Sequence, residues 1–214
     1  MTLAEETIPR MVTAQAARCG ARAALRVRGP QGYEGISWSE MMARVEKIAL
    51  GLLDQGIEPG DRVAILSENR PEWAIADLAA LSAGGATVPV YTSLTTPEME
   101  HILKDSGAKF LFVSSVELLG KVLPLIEPLH LKVVLFDAPY RVSGPRIWWW
   151  GELVGLGQTA APEAKAKLAE RVRAGKPEEI ASIIYTSATT GHPKGVLLTH
   201  SNLLSNCEGI RQAI

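Results

Sequence analysis

The segment from Ile183 to His200 combines residue types that can bind an anion. Between two apolar runs it carries a loop rich in hydroxyl groups, with glycines and a lysine. Its central part, Tyr185 to Gly195, reads YTSATTGHPKG and is called the phosphate segment below. Backbone amides and hydroxyls in such a loop can surround phosphate oxygens, and Lys194 adds a positive point charge. The composition therefore indicates a phosphate site, with a polar turn between two strands as the alternative.

Other familiar catalytic and binding motifs are absent from the sequence. It has no G-x-x-x-x-G-K-[ST], no G-x-G-x-x-G after a strand, no H-E-x-x-H and no G-x-S-x-G. Cys19 and Cys207 lie far apart, without metal-ligand spacing, and we expect both to be free thiols. We expect His101 to be an ordinary helix residue, His200 to be packed, and Arg70 to be a surface or capping charge.

The elements that must position this segment follow from hydrophobic patterning. Short β-branched runs alternate with helical stretches, which predicts a mostly parallel α/β sheet with helices on both faces over the first 137 residues. Capping boxes are expected at Ser37 with Glu40 and at Ser114 with Glu117, and Asn69 is expected to cap a third helix. Predicted strands cover residues 24–27, 34–37, 62–66, 87–91, 109–113 and 131–136; predicted helices cover residues 37–55, 73–81, 118–125 and 161–174, with one more beginning at residues 96–98.

The pattern weakens between residues 138 and 176. The aromatic triplet Trp148–Trp150 lies in this stretch, and we expect it to be partly buried, although such a cluster can also anchor to a partner or a membrane interface.

Composition limits the class of protein. The 214 residues carry 22 basic and 23 acidic side chains, a net charge of −1, and 47% are apolar. This balance is typical of a soluble globular protein and argues against nucleic-acid binding through bulk positive charge. The start lacks the apolar core of a secretory signal, and the uncharged run 78–97 contains too many glycine, proline and hydroxyl residues for a membrane span. We expect a cytoplasmic protein that can make peripheral membrane contact.

The phosphate segment resembles the phosphate-loop signature of the adenylate-forming, AMP-binding superfamily, Y-T-S-G-T-T-G-x-P-K-G. It differs from that pattern only at Ala188. The runs Gly60–Leu66, Glu68–Trp73 and Gly84–Tyr91 also resemble the N-terminal region of long-chain fatty acyl-CoA synthetases.

The resemblance implies a fatty-acid–CoA ligase. ATP and a carboxylic acid would form an acyl adenylate and pyrophosphate, and coenzyme A would then take the acyl group as a thioester. Mg²⁺ would be the cofactor, with Thr186 as its candidate ligand, and the substrates would be a fatty acid, ATP and coenzyme A. No catalytic residue is assigned. The implied phosphate-binding residues are Thr186, Ser187, Ala188, Thr189, Thr190, Gly191 and Lys194.

Two departures from the family limit this expectation. A methyl group at Ala188 costs about 1 kcal/mol, or blocks the phosphate, where the backbone needs glycine. In addition, residues 1–214 correspond to the N-terminal portion of the AMP-binding domain, and the family's C-terminal lid lies beyond this portion. We therefore expect no complete adenylate formation by this chain alone, and self-association through an uncovered sheet edge. The alternative function is a non-catalytic module of the same fold with weak nucleotide binding.

Overall fold

The computed structural model describes residues 6–30, 32–137, 144–186 and 193–213. Its centre is a seven-stranded sheet in the order β7-β6-β5-β3-β4-β8-β9. All neighbouring strands in it are parallel except β9, which runs antiparallel to β8. The predicted mostly parallel sheet is therefore confirmed. The strands are β3 (Arg62–Leu66), β4 (Ala86–Val90), β5 (Ala108–Val113), β6 (Lys132–Leu135), β7 (Ile147–Trp149), β8 (Ile180–Thr186) and β9 (Lys194–Thr199).

A separate antiparallel hairpin precedes this sheet. It consists of β1 (Ala23–Gly29) and β2 (Gly32–Ser37), close to the two strands predicted around Gly29 and Pro30. The helices are α1 (Ile8–Cys19), α2 (Trp38–Asp54), α3 (Pro71–Ser82), α4 (Thr96–Ser106), α5 (Val116–Ile126), α6 (Trp150–Gln158), α7 (Pro162–Ala174) and α8 (His200–Ala213). Among the residues that the structure describes, no helix is both long and apolar enough to cross a membrane.

Two apolar cores cover the two faces of the sheet. Alternate residues of β5 divide between them, because successive side chains of a strand point to opposite faces. Phe110 and Phe112 enter the core that α2, α3, α6 and α7 cover, while Leu111 and Val113 enter the core that α4 and α5 cover. This arrangement confirms the expectation of helices on both faces.

One of the predicted helix caps is confirmed and two are wrong. The Glu40 amide donates to Ser37 Oγ at 3.2 Å and the Ser37 amide donates to Glu40 Oε2 at 2.9 Å, which is the expected capping box. At α5 the capping residue is Ser115, whose hydroxyl accepts from the Leu118 amide. The buried Ser114 hydroxyl instead donates to Glu68.

At α3 the N-cap position is Arg70 and not Asn69, and no side chain caps this helix end. Pro71 explains the shift. A proline takes the first helical position readily and restricts the residue before it to extended backbone, and Arg70 has φ −157° and ψ 163°.

The sequence did not predict α1, β7, α6 or α8. The tryptophan triplet forms β7 and the first residue of α6, and all three rings are partly buried, as expected. Trp150 packs edge-on against Phe136, with ring centroids 5.0 Å apart, and also against Phe112 at 6.1 Å. Trp150 therefore belongs to the packing of the first core.

Helix α6 contacts α2 closely at Gly157, so we expect a methyl group added at this glycine to lower the stability of the protein. A Cβ atom on Gly157 would overlap the carbonyl oxygen of Lys47, whereas one on Gly155 would meet nothing within 4 Å. We expect Gly157→Ala to lower the free energy of unfolding by about 1–3 kcal/mol through overpacking. Gly155→Ala should raise it by about 0.5–1 kcal/mol, because alanine favours the helix. Urea denaturation of the two variants checks both signs, and equal effects would contradict this close approach.

Candidate functional site

Two residues of the phosphate segment lie side by side at the carboxyl end of β8. Thr186 is the last residue of β8 and Lys194 is the first residue of β9, and the two are direct cross-strand partners. Directly opposed side chains of an antiparallel pair lie on the same face, about 5 Å apart at Cβ. Both residues are exposed. A hydroxyl and an ammonium group therefore face solvent together at this strand end.

The other five predicted phosphate-binding residues fall outside the described part of the chain. They are Ser187, Ala188, Thr189, Thr190 and Gly191. Their roles, and that of Thr186 as a magnesium ligand, stay predictions. Within residues 6–30, 32–137, 144–186 and 193–213, no group of three or more His, Cys, Asp or Glu side chains could hold a metal ion.

A glycine sets the packing of the hairpin that carries the segment. Tyr185 of β8 is the cross-strand partner of Gly195 of β9. A Cβ atom on Gly195 would lie 3.1 Å from Cζ of the Tyr185 ring and 2.9 Å from Cγ2 of Ile183. Only glycine leaves room for the tyrosine ring across β9, which gives the last residue of the YTSATTGHPKG sequence a packing role.

Helix α4 contacts both arms of this hairpin. The Tyr185 hydroxyl donates to Asp105 Oδ2 at 2.6 Å, and His101 Nε2 lies 3.0 Å from the carbonyl oxygen of Pro193. Burial, together with the bond to Asp105, raises the pKa of the Tyr185 phenol, so the hydroxyl remains a neutral donor. The sequence analysis predicted no role for Asp105 and predicted that His101 is an ordinary helix residue. Their i, i+4 spacing, which puts them on one helix face, was the available signal.

Four charged side chains near the carboxyl ends of β3 and β6 form one ion-pair cluster around Arg70. Arg70 donates to both carboxylate oxygens of Asp137, at 2.6 and 2.8 Å, and to Glu72 at 2.7 Å. Its hydrogen bond lowers the pKa of Asp137, and the hydroxyl of Ser114 lowers the pKa of Glu68. Arg70 is thus a partly buried, ion-paired charge next to the start of α3, and neither a surface charge nor a helix cap as expected. Lys194 takes part in none of the ion pairs found in the described ranges.

A cavity of about 460 Å³ lies at the opposite, amino end of β8. Ile180, Arg171 and His200 are among its lining residues. His200 is buried, and its Nδ1 accepts from the Ile8 amide at 3.4 Å. Burial lowers the pKa of His200, which favours the neutral ring. The expectation of a packed histidine is confirmed.

Arg171 donates to the carbonyl oxygens of Ile57 and Ala83 and to the carboxylate of Glu58. Its guanidinium is thus committed to the protein's own acceptors. The cavity therefore offers less free positive charge for a phosphate than the exposed Lys194 at the other end of the strand.

Comparison with known proteins places this fold and sequence in one family. The model of the AMP-binding enzyme family matches residues 12–214. Long-chain-fatty-acid–CoA ligase FadD15 of Mycobacterium tuberculosis is 36% identical over 186 residues, which cover 84% of this chain and 29% of that protein. Long-chain-fatty-acid–CoA ligase ACSBG1 of Bos taurus is 31% identical over 199 residues, 92% of this chain and 27% of that protein. The chain thus spans less than a third of the length of these relatives.

Solved structures agree on the architecture. A structure described as a putative long-chain-fatty-acid CoA ligase from Rhodopseudomonas palustris is 25% identical with a TM-score of 0.75, covering 97% of this chain and 48% of that one. The fatty acyl-adenylate ligase from L. pneumophila, in complex with acyl adenylate and pyrophosphate, is 20% identical with a TM-score of 0.69 and shows the fold alone. It covers 97% of this chain and 32% of that one. From the family match and these relatives, the chain belongs to the AMP-binding enzyme family.

Proposed function

We propose that this chain supplies the pyrophosphate-binding part of a long-chain fatty-acid–CoA ligase. The observation that carries the proposal is the pairing of Thr186 with Lys194 at the carboxyl end of β8, at the two ends of the hydroxyl-rich residues 187–192. Ligands of open parallel sheets bind outside the carboxyl ends of the strands. The substrate class is supported by the relatives, whose names state long-chain-fatty-acid–CoA ligase.

The chemistry of adenylate formation explains what these residues would do. The acid's carboxylate attacks the α-phosphorus of ATP, and negative charge moves onto the departing pyrophosphate. Donors aimed at the place where charge develops lower the barrier, because they need no rearrangement during the reaction. The exposed Lys194 ammonium and the hydroxyls of the phosphate segment are donors of this kind. Coenzyme A is the proposed acceptor of the acyl group in the second step.

Magnesium is the proposed cofactor. Thr186 offers a hydroxyl at this strand end, and no group of three or more His, Cys, Asp or Glu side chains in the described ranges could hold a metal, so the phosphate oxygens would provide most of the ligands. This division suits Mg²⁺, which usually keeps several waters and is bound largely through substrate phosphates. When bound, the ion offsets the charge of the leaving pyrophosphate.

Exchange of labelled pyrophosphate into ATP tests the proposed activity. We expect this chain alone to show no exchange with fatty acids of any chain length. Because catalysis requires the acid and the α-phosphate to be held in line, we expect equilibrium binding of Mg²⁺-ATP to be more easily detected than exchange in this chain. Binding without exchange would favour the non-catalytic module. Absence of both would contradict the proposal.

Self-association is also proposed, through the edge strand β9. Val196 and Leu197 of this strand are 44% and 56% exposed, and neighbouring residues of a strand point to opposite faces. Apolar side chains are thus exposed on both faces of an edge strand, a feature that favours pairing with a second copy. We expect light scattering at tens of micromolar to give a mass above that of the monomer. Val196→Lys should restore the monomer, and a monomeric wild-type chain would contradict the proposal.

A further inference from the structure

The hairpin that carries the phosphate segment is attached to α4 at both arms. Asp105 accepts from the hydroxyl of Tyr185, the residue before Thr186. His101, one turn earlier on the same helix, contacts the carbonyl oxygen of Pro193, the residue before Lys194. A carbonyl oxygen only accepts, so Nε2 of His101 carries the proton in this contact. One face of one helix therefore holds the residues directly adjoining both candidate phosphate ligands.

The rings of these residues also touch. The His101 and Tyr185 rings meet edge-to-face, with centroids 6.4 Å apart and an interplanar angle of 86°. The Tyr185 ring lies across Gly195 on the other arm. The two hydrogen bonds and the ring packing thus form one connected contact between α4 and the hairpin.

Helix α4 is itself fixed at both ends. At its start, the Thr95 amide donates to Glu98 Oε2 at 2.8 Å in a capping box. At its end, the guanidinium of Arg62, on β3, donates to the carbonyl oxygens of Ser106 at 2.6 Å and Gly107 at 2.8 Å. Its inner face is buried in the second core through Met99, Ile102 and Leu103. The helix can therefore act as a rigid support.

We propose that Asp105 and His101 are positioning residues for phosphate binding. The proposal rests on the proposed function, because the ligand is the pyrophosphate group assigned there. Without these contacts, Thr186 and Lys194 would still be joined by the β8–β9 ladder, but the ladder lies at the edge of the sheet and would be free to shift against α4. Preorganised donors bind an anion more tightly than donors that must first be ordered.

The test combines binding with local amide exchange on the full chain. Variants are Asp105→Ala, Asp105→Asn, Tyr185→Phe and the double variant Asp105→Ala/Tyr185→Phe, with Glu100→Ala as the control. Glu100 is an exposed acid on the same helix, so its removal gives the same change of net charge. Calorimetry measures the affinity for Mg²⁺-pyrophosphate, and hydrogen exchange follows the amides of Thr186 and Lys194.

We expect Asp105→Ala and Tyr185→Phe each to weaken Mg²⁺-pyrophosphate binding about tenfold, the size expected for one lost hydrogen bond to a charged group. The double variant should bind no more weakly than either single variant, because both remove the same bond. Asp105→Asn should restore most of the affinity, since its carbonyl oxygen still accepts.

Amide hydrogen exchange at Thr186 and Lys194 should become faster in Asp105→Ala, while that of the β3 amides stays unchanged. Glu100→Ala should change neither the amide exchange nor the affinity for Mg²⁺-pyrophosphate. Unaltered exchange in Asp105→Ala would overturn the inference, as would equal pyrophosphate affinity in all variants. A wild-type chain that binds no pyrophosphate would refute the proposed function. In that case, the amide hydrogen exchange of Thr186 and Lys194 would still decide whether α4 anchors the hairpin.

Discussion

Lys194→Ala is expected to weaken the binding of Mg²⁺-ATP by roughly ten- to hundredfold, the range for losing a hydrogen bond between charged groups. The ammonium group is exposed and lies on the same face as the Thr186 hydroxyl, and we propose that it contacts the phosphates directly. Lys165→Ala on the exposed face of α7 removes the same charge at a distance and serves as the control. Calorimetry on the three proteins measures the difference. Equal affinities would exclude Lys194 from the phosphate site.

Ala188→Gly is expected to change the affinity in the opposite direction. If glycine in the family pattern permits close approach of the backbone to phosphate, removing the methyl group strengthens Mg²⁺-ATP binding. The affinities should therefore rank in the order Ala188→Gly, wild type, Lys194→Ala. Weaker Mg²⁺-ATP binding by Ala188→Gly would show that the alanine side chain contributes to binding in this chain.

Asp77→Asn is expected to raise the free energy of unfolding at pH 7 by roughly 2–3 kcal/mol, the free-energy equivalent of a shift of about two pH units. Asp77 lies on α3. Burial raises its pKa to about 6 from the usual 3.8, although a hydrogen bond with the side chain of Thr87 lowers it. At pH 7 the folded protein therefore holds an ionised carboxylate in an unfavourable environment.

The sign of the pH dependence follows from the raised pKa. Between about pH 4 and 6 the folded state binds more protons at Asp77 than the unfolded state does, so the contribution of this residue to stability is present below pH 4 and is lost as the pH rises through 6. Urea denaturation of wild type and Asp77→Asn at pH 4 and pH 7 isolates this contribution, because the other carboxylates cancel in the difference. The exposed Asp54→Asn is the control. A constant difference across this pH range would contradict the assignment.

The parallel sheet was predictable because its strands are compact apolar runs that alternate with helical stretches. Val63 to Leu66 is completely buried, and its short uninterrupted apolar pattern suits a strand covered on both faces. The strand β7 and helix α6 were not predictable in this way. Both are short, and a run of tryptophans can be buried in a strand or in a helix. The position of α6 depends on its close approach to α2 at Gly157, which is a tertiary contact.

The helix caps show how tertiary contacts override local signals. At α5 the sequence favoured Ser114, but the N-cap is Ser115, while the Ser114 hydroxyl donates to Glu68, 46 residues away in the chain. The residues of the candidate site also differ in how far they could be predicted from the sequence. The phosphate segment is a local pattern, so Thr186 and Lys194 could be named from the sequence. The role of Asp105 was not predicted, because the tyrosine that it binds lies 80 residues away in the chain.

The two ends of β8 offer the most direct test of where the nucleotide phosphates bind. Mn²⁺-ATP added to isotopically labelled protein broadens the NMR signals of nearby amides, because the ion is paramagnetic and sits at the phosphates. The phosphate site proposed here predicts broadening first at the amides of Thr186 and Lys194, with Ile180 and His200 at the other end of the strand affected only at higher concentration. Broadening that begins at Ile180 and His200 would place the phosphates in the cavity at the amino end and contradict the proposed site.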